Sequence, residues 1–159
     1  MPTTRDFQNG KDYPVYILKN TDYPLTSALP PDATNPNFKL MVCLNTNALS
    51  IQVNGIDVSS KCSDGWADSI PGDGSWSITA EGAIVPVPET GELSGNDFFD
   101  LITNKESFWA AIYNPVTDTY RVGVAFFTQY NENIGNNSLY GFNVTLTGRG
   151  KIYRSVPIT

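Results

Sequence analysis

Apolar and polar residues take turns along much of this chain. In the closing segment Phe142, Val144 and Leu146 alternate with Asn143, Thr145 and Thr147. From Ser75, Trp76, Ile78 and Ala80 fall on one side, and Ser77, Thr79 and Glu81 on the other. Leu49, Ile51 and Val53 alternate with Ser50, Gln52 and Asn54, and a fourth segment of this kind spans 119–129. A period of two places the two sets on opposite faces of a strand. Such a chain must build sheet and cover one face of it. Two short runs, 39–44 and 107–113, are almost continuously apolar, the pattern of strands covered on both faces. With 13–18, 83–87 and 151–156 the count reaches about eight strands. The predicted fold class is mainly β: an antiparallel β-sandwich or barrel with one short flanking α-helix.

The punctuation between strands is local. Asn54-Gly55 is a type I′ hairpin signal. Asp64-Gly65 and Asp73-Gly74 read as turns, so 59–74, with its tight Pro71-Gly72-Asp73-Gly74, is predicted as a long turn. Gly148-Arg149-Gly150 is expected to bend the chain. The helix is predicted within 89–105. Ser94 or Asn96 is its cap, Asp97 lies in the first turn, and Phe98, Leu101 and Ile102 share one face. The predicted core includes Trp66, Trp76, Ile78, Phe98, Ile102, Phe142, Val144 and Leu146.

At 159 residues the chain reads as a single domain, since one domain takes roughly 150. A polar arm covers 1–12. The segment 19–38 has no periodicity and four prolines. Loops of that length in compact domains are usually functional or disordered. One reading packs it on its own subunit; the other makes it a contact arm on a neighbouring molecule. The second gives Tyr23, Leu25, Leu29, Pro30, Pro31 and Phe38 as candidate subunit or ring interface.

The residues argue against most chemistry. The net charge is −6 with no histidine, which disfavours phosphate-neutralising nucleic-acid binding and removes the commonest acid–base and metal-ligating group. The two cysteines, Cys43 and Cys62, fit no zinc pattern. They read as reduced thiols, with a disulfide as the alternative. Asp64 with Asp68, and Asp97 with Asp100, are explained by turns and caps. No catalytic residue, metal site or cofactor is expected. No secretory leader or membrane span is visible, so synthesis in a cytosol is expected. Trp66, Trp76 and Trp109 could form a sugar-stacking platform, which keeps a non-catalytic carbohydrate-binding module as a rival reading.

The chain resembles the major tail tube proteins of long non-contractile-tailed bacteriophages. The resemblance is carried by Gly10-Lys11-Asp12, by Ile56-Asp57-Val58-Ser59-Ser60-Lys61, by Gly65-Trp66, by Ser69-Ile70-Pro71-Gly72, by 75–82 and by the closing 142–150. It spans roughly residues 10 to 155, and 56–82 is its distinctive block. The 21–38 loop departs from the pattern. The resemblance implies a structural virion subunit that assembles with itself into hexameric rings stacked as a tube. Other tail proteins would meet it at the tube ends. DNA would pass through the lumen without specific binding. It implies the virion tail as location, after synthesis in a bacterial host. A tail terminator, a baseplate hub and a type VI secretion tube protein are variants of the same reading.

Overall fold

A computed structural model describes residues 14–20, 23–26, 31, 37–41, 44–61, 64–83, 91–114, 119–133 and 141–155. The elements are β1 (Val15–Lys19), β2 (Lys39–Leu40), β3 (Leu44–Asp57), β4 (Ser69–Ala83), α1 (Gly95–Thr103), β5 (Ser107–Asn114), β6 (Thr119–Asn133) and β7 (Gly141–Ser155). The strands form one antiparallel sheet in the order β2-β1-β5-β6-β7-β4-β3. The architecture is therefore mainly antiparallel β with one short helix. The expected arm at 1–12 lies outside the described residues, as do Cys43 and Cys62.

Each face of the sheet is apolar where something covers it. The main core lies on the face of Val15, Ile17, Trp76, Ile78, Phe108, Ala125, Phe142, Val144 and Leu146. Helix α1 closes this face. Phe98 packs on Phe127, Tyr130 and Phe142 at centroid distances of 5.8, 5.7 and 4.9 Å. Leu101 is buried and Ile102 packs against the cluster. The helix starts where the sequence places it. Ser94 accepts from the Asp97 amide, and the Asp97 carboxylate accepts from the Ser94 amide at 2.9 Å. Burial pushes the Asp97 carboxyl up, but those hydrogen bonds, with Lys19 and Lys39 nearby, outweigh it and hold it below the usual carboxylate range.

The opposite face of β1, β5 and β6 carries a second cluster of Leu18, Trp109, Ala111 and Val122. Tyr23, Leu25 and Phe38 cover it, with Tyr23 edge-on to Trp109 at 5.9 Å. Central β5 is thus buried on both sides, which explains its unbroken apolar run. Three of the candidate interface residues thus contribute to their own subunit's packing while staying partly exposed. Tyr23, Leu25 and Phe38 pack on their own sheet, and Pro31 is fully buried. Leu29 and Pro30 lie outside the described residues.

Four expectations are corrected. Asn54-Gly55 is not the hairpin turn. It lies inside β3, and the ladder continues through Gly55↔Pro71, Ile56↔Ile70 and Asp57↔Ser69 after a register shift. Pro71-Gly72-Asp73-Gly74 is likewise inside β4, at that irregularity, where a proline without an amide hydrogen is tolerated. The run 39–44 is not one strand, because β2 stops at Leu40 and β3 begins at Leu44. Gly148-Arg149-Gly150 does not end a strand: β7 runs through it with a register shift against β6, and Gly150 takes a φ of +79°.

A candidate assembly surface

The β3–β4 hairpin outruns the sheet that supports it. Its base pairs with β7 from Ser77 to Ala83. Beyond Trp76 no other strand accompanies it among the described residues. The register from Ile51↔Trp76 to Asp57↔Ser69 makes a free arm on the order of 20 Å at a strand's rise per residue. Ser59 closes its end. It donates from its hydroxyl to the Asp68 carbonyl and accepts from the Asp68 amide at 2.7 Å. Asp64 and Gly65, with φ of 49° and 80°, turn the chain. The Ser59 amide donates to the Asp57 carboxylate at 2.8 Å, and this bond holds that carboxyl below the usual range.

The arm is apolar where nothing covers it. Ile51, Val53, Ile56, Val58, Trp66 and Ile70 are between 40 and 80% exposed. Phe99, on the helix, is the one other large exposed apolar residue among those described. Trp66, expected in the core, is the most exposed at 80%. It sits beside the Asp64-Gly65 turn, beyond the reach of any covering layer. Hiding even half of such a side chain from water favours the covered state by about 1 kcal/mol. Six on one arm mark a surface built to meet another molecule. Their alternation in the sequence says that the arm is a strand. It does not say that the opposite layer ends before them.

The second feature is a polar face. On the side of β6, β7, β4 and β3 away from the main core, cross-strand pairing sets three rows: Thr46–Glu81–Asn143–Asn131, Ala48–Thr79–Thr145–Gln129 and Ser50–Ser77–Thr147–Phe126. Hydroxyls and amides dominate, with one carboxylate and no cation. Neighbours tie them together: Asn131 Nδ2 donates to Asn143 Oδ1 at 2.8 Å, and the Thr128 and Thr147 hydroxyls lie 3.1 Å apart. The third feature is an open edge, since no described strand pairs with the outer side of β3.

The other expected core residues are placed plainly. Trp76, Ile78, Phe98, Phe142, Val144 and Leu146 are buried, and Ile102 is partly so. The three tryptophans are not brought together. Trp76 faces the main core, Trp109 the second cluster and Trp66 the arm's tip. Among the described residues, no cluster of three or more Cys, Asp or Glu could hold a metal ion. No described helix is long and apolar enough to cross a membrane.

No known protein family and no curated protein matches the chain. Solved structures do. A chain from the tail of an empty gene transfer agent particle, refined with C6 symmetry, aligns at a TM-score of 0.72 and 17% identity, over 94% of this chain and 100% of that one. The SPP1 tail tube aligns at 0.63 and 15%, over 95% and 80%. A baseplate chain of the anti-feeding prophage aligns at 0.61 and 12%, over 98% of each chain. The likeness shows a shared fold, that of these tail, tail tube and baseplate chains.

Proposed function

We propose that this chain is a structural subunit of a bacteriophage tail tube and assembles with itself into stacked hexameric rings through which DNA leaves the virion. The observation that carries the reading is the β3–β4 arm: six exposed apolar residues, none of them part of its own core. An isolated soluble domain has no reason to keep such an arm, whereas a self-assembling one covers it on a neighbour. The open β3 edge supports the same reading, because a ring closes edges that a single copy leaves unpaired. So does the fold shared with a tail refined in C6 symmetry and with the SPP1 tail tube.

The polar face suits the inside of such a tube. A wall that must not hold its cargo needs hydration without counterion release. Hydroxyls and amides supply the first, and the absence of lysine and arginine from the three rows secures the second. Glu81 adds one repelling charge per copy. No residue has a catalytic role in this reading.

Electron microscopy of the concentrated chain is the direct test. Tubes or stacked rings are the expected result. A chain that remains single at every concentration, and in particles occurs in only one ring's worth of copies, belongs at a tube end or baseplate instead.

A further inference from the structure

A cleft of about 350 Å³ opens where the free arm leaves the sheet. It is lined by Ile51, Gly74, Ser75, Trp76, Gly150, Lys151 and Ile152. Its walls are apolar: Ile51 is 55% exposed, and Trp76 and Ile152 belong to the edge of the main core. Its size lies within the ~300–1,000 Å³ of pockets that receive a ring system. The one charged residue in its lining is a cation, Lys151.

The arm's tip has the complementary make-up. Trp66 stands 80% exposed, flanked in sequence by Asp64 and Asp68, with Asp57 close by across the turn. The tip cannot fill its own copy's cleft, because a rigid paired strand on the order of 20 Å long separates the two. Apolar match, charge match and this separation select one occupant.

We propose that Trp66 of one copy inserts into the Ile51–Trp76–Ile152 cleft of a second copy, with Asp64 and Asp68 set against Lys151 at its margin. This rests on the self-assembly reading above and names the contact that reading lacks. Tip and cleft are different surfaces, so the contact is head-to-tail. Contacts of that kind close rings or extend filaments. Trp is also the residue that most often dominates interfaces from a central pocket.

The test uses sedimentation of the whole chain with two blocked variants. Trp66→Ala removes the knob. Gly74→Leu fills the cleft, and a Cβ at Gly74 meets its nearest neighbour, the Gln52 carbonyl, at an ordinary 3.7 Å. Far-UV circular dichroism checks that both fold. Each variant alone is expected to associate at least tenfold more weakly than the unmodified chain. Mixed one to one, they are expected to form pairs and nothing larger, because one intact tip meets one intact cleft. A separate charge test reads Asp68→Lys as weakening and Lys151→Glu added to it as restoring association. If both blocked variants assemble normally while the unmodified chain forms tubes, the docking is wrong and the tube reading stands. If they fail to assemble but do not pair on mixing, Trp66 has another target and the cleft assignment is wrong. An unmodified chain that never associates overturns the docking and the self-assembly reading together.

Discussion

The indole of Trp76 fits because two neighbouring strands carry no side chain beneath it. A Cβ at Gly148 on β7 or at Gly123 on β6 would enter its ring. The ring's N–H meanwhile donates to the Gly150 carbonyl at 3.0 Å, so the one polar atom of this core residue is satisfied. Gly148→Ala is expected to lower stability by about 1–3 kcal/mol, the usual cost of overpacking, whereas Gly74→Ala, whose Cβ would meet only ordinary contacts at 3.7 and 3.9 Å, should be near neutral. Thermal unfolding of the pair separates the two. A second residue-scale expectation concerns the helix cap. Ser94→Ala removes the hydroxyl that accepts from the Asp97 amide and should cost about 1 kcal/mol. The Asp97 carboxyl titrates below its unfolded value of about 3.9. Its contribution is therefore complete above that value and is lost as pH falls through the lower folded one. Urea unfolding should show Asp97→Asn less stable than the native chain at pH 7, with the gap closing toward pH 3.

Among the elements, the β3–β4 hairpin separates folding from assembly. Every described residue from 58 to 68 is exposed. Replacing 58–68 by a short turn should leave the melting temperature nearly unchanged and abolish ring or tube formation in micrographs. A large fall in melting temperature would place the tip in the fold rather than the interface. The hairpin is also where sequence reasoning failed, and the cause is physical. Asn54-Gly55 and the Pro71–Gly74 stretch are genuine local turn signals, but the ladder that runs through them at Gly55↔Pro71 and on to Ile56↔Ile70 and Asp57↔Ser69 outweighs a local preference. The Asp64-Gly65 turn was present in the same sequence and is the one the chain uses. By contrast, α1 was legible because cap, first-turn acid and apolar spacing agree within one short segment. The continuous run of β5 was legible because burial on both faces leaves no polar position. Trp66 was misplaced because a residue's own type says nothing of whether a layer lies opposite it.

At the scale of the molecule, the two faces of the sheet divide the labour. One half buries apolar residues under α1 on one side and under Tyr23, Leu25 and Phe38 on the other. The other half leaves open a surface of hydroxyls and amides with the single carboxylate of Glu81. Thr79→Lys, placed in the middle row of that surface, should not disturb the core, because Thr79 points away from it. It should convert assembled tubes from indifferent to DNA into salt-sensitive binders, with affinity falling steeply as salt rises. Co-sedimentation with short DNA at two salt concentrations reads this directly. Unchanged behaviour would remove the polar face from the lumen.

Trp76 stands at the boundary between these scales, as a wall of the cleft and a member of the core at once. A load applied to a copy seated in that cleft would pass into the indole and then into the backbones at Gly123 and Gly148, without a flexible loop between. The joint therefore has the stiffness of the protein interior. Such an assembly should bend little at its seams.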